Sequence, residues 1–152
     1  MSESSENKTT ISRREVLLGA GAVLAAAGVP NVFAKQEHHH GHGKYPDVVT
    51  ATLDCIRTGE ACLDHCLSFF KKGDTSMAEC ADSVNQMLAM CTAMQKLASH
   101  NSKYAAEMAM TCVRVCKDCE LACNKHAKKH EVCRACADAC KDCIRACKQI
   151  AA

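Results

Sequence analysis

From Pro46 to the C-terminus, apolar positions recur with the 3.6-residue period of helices, and no segment alternates with a period of two over the length of a strand. Ala, Leu, Met, Glu, Lys and Gln dominate this stretch, all good helix formers. Pro46 suits the first turn of a helix, where a missing N–H costs nothing. Three polar breaks divide the run. Gly73-Asp74-Thr75 ends one helix and caps the next, and His100-Asn101-Ser102 makes a second turn with Ser102 as cap. The third break is a charged cluster, Lys128-Lys129-His130-Glu131. The pattern therefore predicts helices over residues 47–72, 76–99, 103–128 and 131–150. Short connections favour antiparallel neighbours, so the expected fold is all-α: an antiparallel, up-down-up-down four-helix bundle spanning 47–152.

The N-terminal third reads differently. Ser12-Arg13-Arg14 precedes an Ala- and Gly-rich apolar run from Val16 to Val29. Pro30 breaks that run, and Val32-Phe33-Ala34 offers small residues where a signal peptidase cuts. The run is shorter than the roughly 20 residues a spanning helix needs. Residues 1–34 thus read as a cleaved twin-arginine signal, with export to the periplasm or another extracytoplasmic space and no membrane association afterwards. Residues 35–46 carry His38, His39, His40 and His42 without apolar periodicity, and read as a flexible arm able to collect metal.

Composition narrows the function. Nineteen basic residues against 17 acidic ones leave a net charge of +2, too little for a nucleic-acid-binding field. Trp is absent, and two Tyr and three Phe offer no base-stacking platform. No Ser-His-Asp arrangement and no phosphate-binding glycine loop is visible, so the expectation is binding without turnover. With so few large apolar residues, something else must fill the interior.

Cysteine fills it. All 14 cysteines lie beyond residue 54. At 100° per residue, Cys55, Cys62 and Cys66 of the first helix fall within about 40° of one another. Cys80 and Cys91 of the second are eleven apart, about three turns. Cys112, Cys116, Cys119 and Cys123 follow at steps of 4, 3 and 4, and Cys133, Cys136, Cys140, Cys143 and Cys147 at steps of 3, 4, 3 and 4. Arg114, Lys117 and Asp118, and Lys141, Arg145 and Lys148, occupy the opposite faces. Met77, Val84, Met87 and Met94 share the second helix's stripe. Each thiol stripe therefore turns toward the core.

Three uses of such a core compete. Disulfides are the usual reason for dense cysteine in an exported chain. Within a helix they fail, because Cβ atoms four residues apart lie about 5–6 Å from one another and a disulfide needs about 3.5–4.5 Å. Disulfides between helices stay open. Cysteine as a plain core filler does not account for the scarcity of Leu, Ile and Val on the stripes. Metal fits the spacing, since soft thiolates select copper(I), zinc or iron–sulfur clusters. Zinc wants closed sets of four ligands. The 133–143 spacing is not that of a ferredoxin, and no haem-type C-x-x-C-H occurs. Copper(I) accepts two or three thiolates, shares bridging sulfurs and balances one thiolate charge, so a continuous row suits it best. The alternative is a thiol-redox or metal-detoxifying protein with disulfides or zinc in its core.

The motifs Cys55-x6-Cys62-Leu63-x-His65-Cys66, Ser76-Met77-x2-Cys80, Cys116-x2-Cys119-x3-Cys123 and Cys133-x2-Cys136-x3-Cys140-x2-Cys143-x3-Cys147 resemble those of the copper storage proteins, specifically their exported branch. The resemblance implies a bundle holding many copper(I) ions along its core, homotetrameric assembly, and supply of copper to copper enzymes. It also implies a mouth at one end where His and Met replace Cys, matched here by His65 and Met77. Two departures stand out. Phe69 and Lys72 occupy positions where exported relatives carry methionine, and Cys112 is an additional thiol, predicting slightly greater capacity. His126 and His130 lie past Cys123 toward the same end and are candidates to replace the missing methionines.

Overall fold

A computed structural model describes residues 43–151. The expected signal, and the arm's histidines with it, lie outside these residues. The described chain forms four helices: α1 (Pro46–Phe70), α2 (Ala78–Ser99), α3 (Ala105–Asn124) and α4 (Glu131–Ile150). No strand occurs among the described residues.

Local chemistry sets the helix ends. Pro46 opens α1, with Asp47 in the first turn facing the positive end of the helix dipole. At its far end Gly73 adopts φ 77°, the left-handed conformation that glycine reaches without strain. Asp74 then donates its N–H back to the Phe69 carbonyl at 3.1 Å, and its carboxylate accepts the Ser76 N–H at 2.8 Å. Asn101, at φ 51°, makes the corresponding turn after α2, and Ser102 N–H returns to the Leu97 carbonyl at 2.9 Å.

α3 ends earlier than its sequence suggests, at Asn124 rather than residue 128. The bonding tightens there, with Lys125 N–H reaching Ala122 and His126 N–H reaching Cys123. Past Cys123 the stripe carries only His126 and the small Ala127, both partly exposed, so little holds another helical turn against the core.

α1 packs on α2 and α4, and α3 packs on the same two, while diagonal helices do not meet. That is the square arrangement of an up-down-up-down bundle. α1 and α2 approach closely at Gly59, where a Cβ would lie 2.6 Å from Met87 Cε and 2.8 Å from Leu88 Cδ2. Lys44 N–H donates to Asn101 Oδ1 at 2.6 Å, and Tyr45 is buried, so the chain just ahead of α1 is tied to the α2–α3 turn.

The interior is made of sulfur and small residues. All 14 cysteines have no solvent exposure, and Met77, Met87, Met94, Val48 and Val84 fill the gaps between them. Leu88 is the only buried leucine among the described residues. Small side chains such as Ala98, Ala105, Ala109 and Ala137 complete the packing.

Candidate metal centre

Sulfur contacts fix how the helices are threaded against one another. On α1 and α2, Cys62 meets Cys80 at 3.9 Å. On α2 and α3, Cys80 meets Cys123 at 3.6 Å and Cys91 meets Cys116 at 3.6 Å, so low numbers on one helix meet high numbers on the next. On α3 and α4, Cys119 meets Cys136 and Cys112 meets Cys143, each at 3.9 Å. Cys62 of α1 closes the square against Cys133 of α4 at 3.8 Å. All neighbours are antiparallel, and the four stripes converge into one column.

Along that column the thiols gather into five groups whose sulfurs lie within 4.8 Å of one another: Cys62/Cys66/Cys80, Cys62/Cys123/Cys136, Cys119/Cys136/Cys140, Cys55/Cys91/Cys116/Cys143 and Cys112/Cys143/Cys147. Every cysteine except Cys133 belongs to one, and Cys133 touches Cys62. Three sulfurs, those of Cys62, Cys136 and Cys143, serve two groups each, so shared sulfurs join the groups into two runs, one of three and one of two, and Cys140 meets Cys116 and Cys55 where the runs adjoin. Adjacent ions can thus share a sulfur. Thiols at i, i+4, such as Cys112/Cys116 and Cys143/Cys147, lie 4.0 Å apart. No cysteine is in a disulfide, and all 14 are free.

Burial governs the charge on the thiols. It pushes Cys66 up to about 12 and Cys133 up to about 11, so both hold their protons at neutral pH. Cys80 is held low, at about 3, because Cys123 and then Cys62 can donate to its sulfur. Eleven of the 14 sulfurs lie 3.6–4.0 Å from another, so the S–H groups find acceptors within the core and the protonated thiols pack as small apolar groups.

The two ends of the column differ. One is closed by Met94, Ala98, Ala105 and Ala109 with Val48 and Thr52, all buried, and Thr52 turns its hydroxyl to the Val48 carbonyl at 2.7 Å. At the other end the α1–α2 and α3–α4 turns come together. Met77 is buried there, one turn ahead of Cys80. His65 is half-buried, and its Nε2 lies 3.1 Å from Nδ1 of His130. Burial, then the neighbouring His65 and His126, hold His130 below the usual histidine range. Sequence spacing placed the thiols on inward stripes, but not the His65–His130 contact, since α1 and the residue before α4 meet only through tertiary packing.

The model of one protein family, described as "Csp: Copper storage protein", matches residues 41–152. No curated protein sequence matches the chain. Among solved structures, the copper storage protein Ccsp from Streptomyces lividans, loaded with 10 copper equivalents, superposes with a TM-score of 0.62 at 30% identity. That match covers 68% of this chain and 80% of the other. The Cu(I)-bound copper storage protein BsCsp3 superposes with a TM-score of 0.60 at 26% identity, covering 69% of this chain and 95% of the other.

Proposed function

The chain belongs to the copper storage protein family, and on that premise we propose that it stores multiple copper(I) ions on thiolates lining the bundle core. The observation that carries this reading is the column of five buried thiol groups, joined by shared sulfurs into runs of three and two, with no disulfide among them. A soft monovalent ion needs only two or three such sulfurs, and shared sulfurs let sites follow one another without accumulating buried charge. The ligands are Cys55, Cys62, Cys66, Cys80, Cys91, Cys112, Cys116, Cys119, Cys123, Cys133, Cys136, Cys140, Cys143 and Cys147. Met77 serves at the open end, and His65 takes metal at its rim.

Binding proceeds without turnover. Each incoming ion displaces thiol protons and passes from sulfur to sulfur away from the mouth, while the plugged end of the column closes the other route. Release reverses this path to an acceptor, such as a copper enzyme. The disulfide alternative is disfavoured, since its sulfurs would have to close from 3.6 Å or more to about 2.05 Å.

The reading extends to place and assembly. Residues 1–34 act as a twin-arginine leader, which carries folded proteins and so exports the store with its thiols already buried. No helix among the described residues is long and apolar enough to cross a membrane. The bundle assembles as a homotetramer, in line with its resemblance to the exported branch.

X-ray absorption at the copper edge of anaerobically loaded protein tests the ligand set. Sulfur-dominated scattering with close copper neighbours is expected. A first shell dominated by nitrogen or oxygen contradicts it.

A further inference from the structure

Donor chemistry changes at the mouth. Every cysteine sulfur is sealed from solvent and Met77 is buried, whereas His65, His126 and His130 are each partly exposed. An ion arriving at this end therefore meets nitrogen before sulfur. His65 comes from the last turns of α1, and His130 directly precedes α4, so their 3.1 Å contact joins two helices across the rim. Phe69 packs edge-on against both rings, with centroids 5.1 Å from His65 and 5.4 Å from His130, and holds the pair from one side. The His126 ring lies 6.4 Å from that of His130, on the α3–α4 turn.

Two imidazole nitrogens this close share at most one proton, which a cation can replace. With metal–nitrogen bonds of about 2.0–2.1 Å, two ligands of a tetrahedral ion such as zinc(II) lie about 3.3–3.4 Å apart and two cis ligands of a tetragonal ion such as copper(II) about 2.8–3.0 Å apart, and the observed 3.1 Å falls between. The rings need to shift by only a few tenths of an ångström for either ion. Imidazole suits borderline divalent ions, whereas copper(I) finds softer ligands one turn deeper, at Cys62, Cys66 and Cys80. Among divalent ions the Irving–Williams order places copper(II) above zinc(II).

We propose that His65 and His130, with His126 as a third donor, form a separate rim site for a divalent first-row cation, copper(II) ahead of zinc(II), outside the thiolate column. This gives His65 a nitrogen partner and a preferred class of ion. It rests on the storage reading in that copper(I) must occupy the thiols for the imidazoles to be the donors left over. The mouth then sorts copper by oxidation state: copper(II) is held on nitrogen at the rim, and copper(I) proceeds to sulfur.

The test uses the full chain with His38, His39, His40 and His42 replaced by Ala, so that arm imidazoles do not compete. The protein is first saturated anaerobically with copper(I), and the equivalents bound are counted. Copper(II) is then added and followed by electron paramagnetic resonance. About one equivalent with nitrogen hyperfine structure is expected. In His130→Asn, whose new side chain suits a helix N-cap, and in His65→Gln, that signal is lost or its affinity falls at least tenfold. Helicity and, in His130→Asn, the copper(I) count should not change. Copper(II) without nitrogen coupling, or coupling that survives both substitutions, overturns the rim site. A count of only one or two copper(I) ions counts against the storage reading instead. The nitrogen signal and its loss then decide the rim site in the same way on the protein as loaded.

Discussion

The sulfurs of Cys62 and Cys133 lie 3.8 Å apart although 71 residues separate them in the chain. This contact closes the ring α1–α2–α3–α4 and turns four separate stripes into one column. Cys62 also touches Cys80 and shares groups with Cys66, Cys123 and Cys136, which makes it the junction between the mouth and the column's interior.

Cys112 lies at the far end of that column, where it meets Cys143 at 3.9 Å and Cys116 at 4.0 Å, and the storage reading expects it to add capacity. Cys112→Ala should lower the copper(I) bound by about one equivalent per chain. The cost in stability should be about 1 kcal/mol, since one small buried group is lost. Chelator competition against the unsubstituted protein reads the change, and an unaltered capacity would remove Cys112 from the ligand set.

Gly59 permits the close approach of α1 to α2. Gly59→Leu drives a side chain into Met87 and Leu88 and should destabilise the metal-free bundle by about 1–3 kcal/mol, a fall of about 4–8 °C in Tm per kcal/mol for a domain of this size. Gly59→Ala should cost less, because the nearest atom is the flexible end of Met87. Thermal unfolding in which both variants match the parent would show that the helices do not meet at this point.

Loading should weaken as the solution becomes more acidic. Burial pushes the Cys66 and Cys133 thiols up to about 12 and about 11, far above neutral pH, so copper(I) must expel a proton from each. For each proton displaced, apparent affinity at these positions falls about tenfold per unit drop in pH. Competition titrations at two buffered pH values measure that slope, and an unbuffered solution should acidify during loading. A flat pH response would mean that the thiols are already ionised.

Removing copper should leave the helices in place. Neutral thiols pack as small apolar groups, and no buried side-chain nitrogen or oxygen among the described residues lacks a partner. Far-UV circular dichroism of chelator-stripped protein should therefore stay helical, with a lower Tm because the ligand's contribution to stability is gone. Unfolding on stripping would instead mean that the metal organises the fold.

The sequence revealed most where one helix suffices to decide. The bounds of α4, Glu131–Ile150, follow from unbroken periodicity between a charged cluster and the end of the pattern. The inward direction of every cysteine follows from the same one-dimensional rule. Residues 125–128 misled, because lysine and alanine are good helix formers and no Gly or Pro marks the stop; the chain turns there for want of much to bury. Partners across the core, such as Cys91 with Cys116, depend on how far each helix slides along its neighbour. That register is set by the turns and by contacts such as Gly59 on Met87, which no single-helix pattern contains. The His65–His130 pair was hidden for the same reason.

Anaerobic titration with copper(I) against a competing chelator bears most directly on the storage role. Many equivalents per chain, taken up tightly and with sulfur-to-copper charge-transfer absorption growing throughout, are expected from a thiolate column. Saturation at one or a few equivalents would contradict it and leave a copper chaperone or a structural metal site in its place.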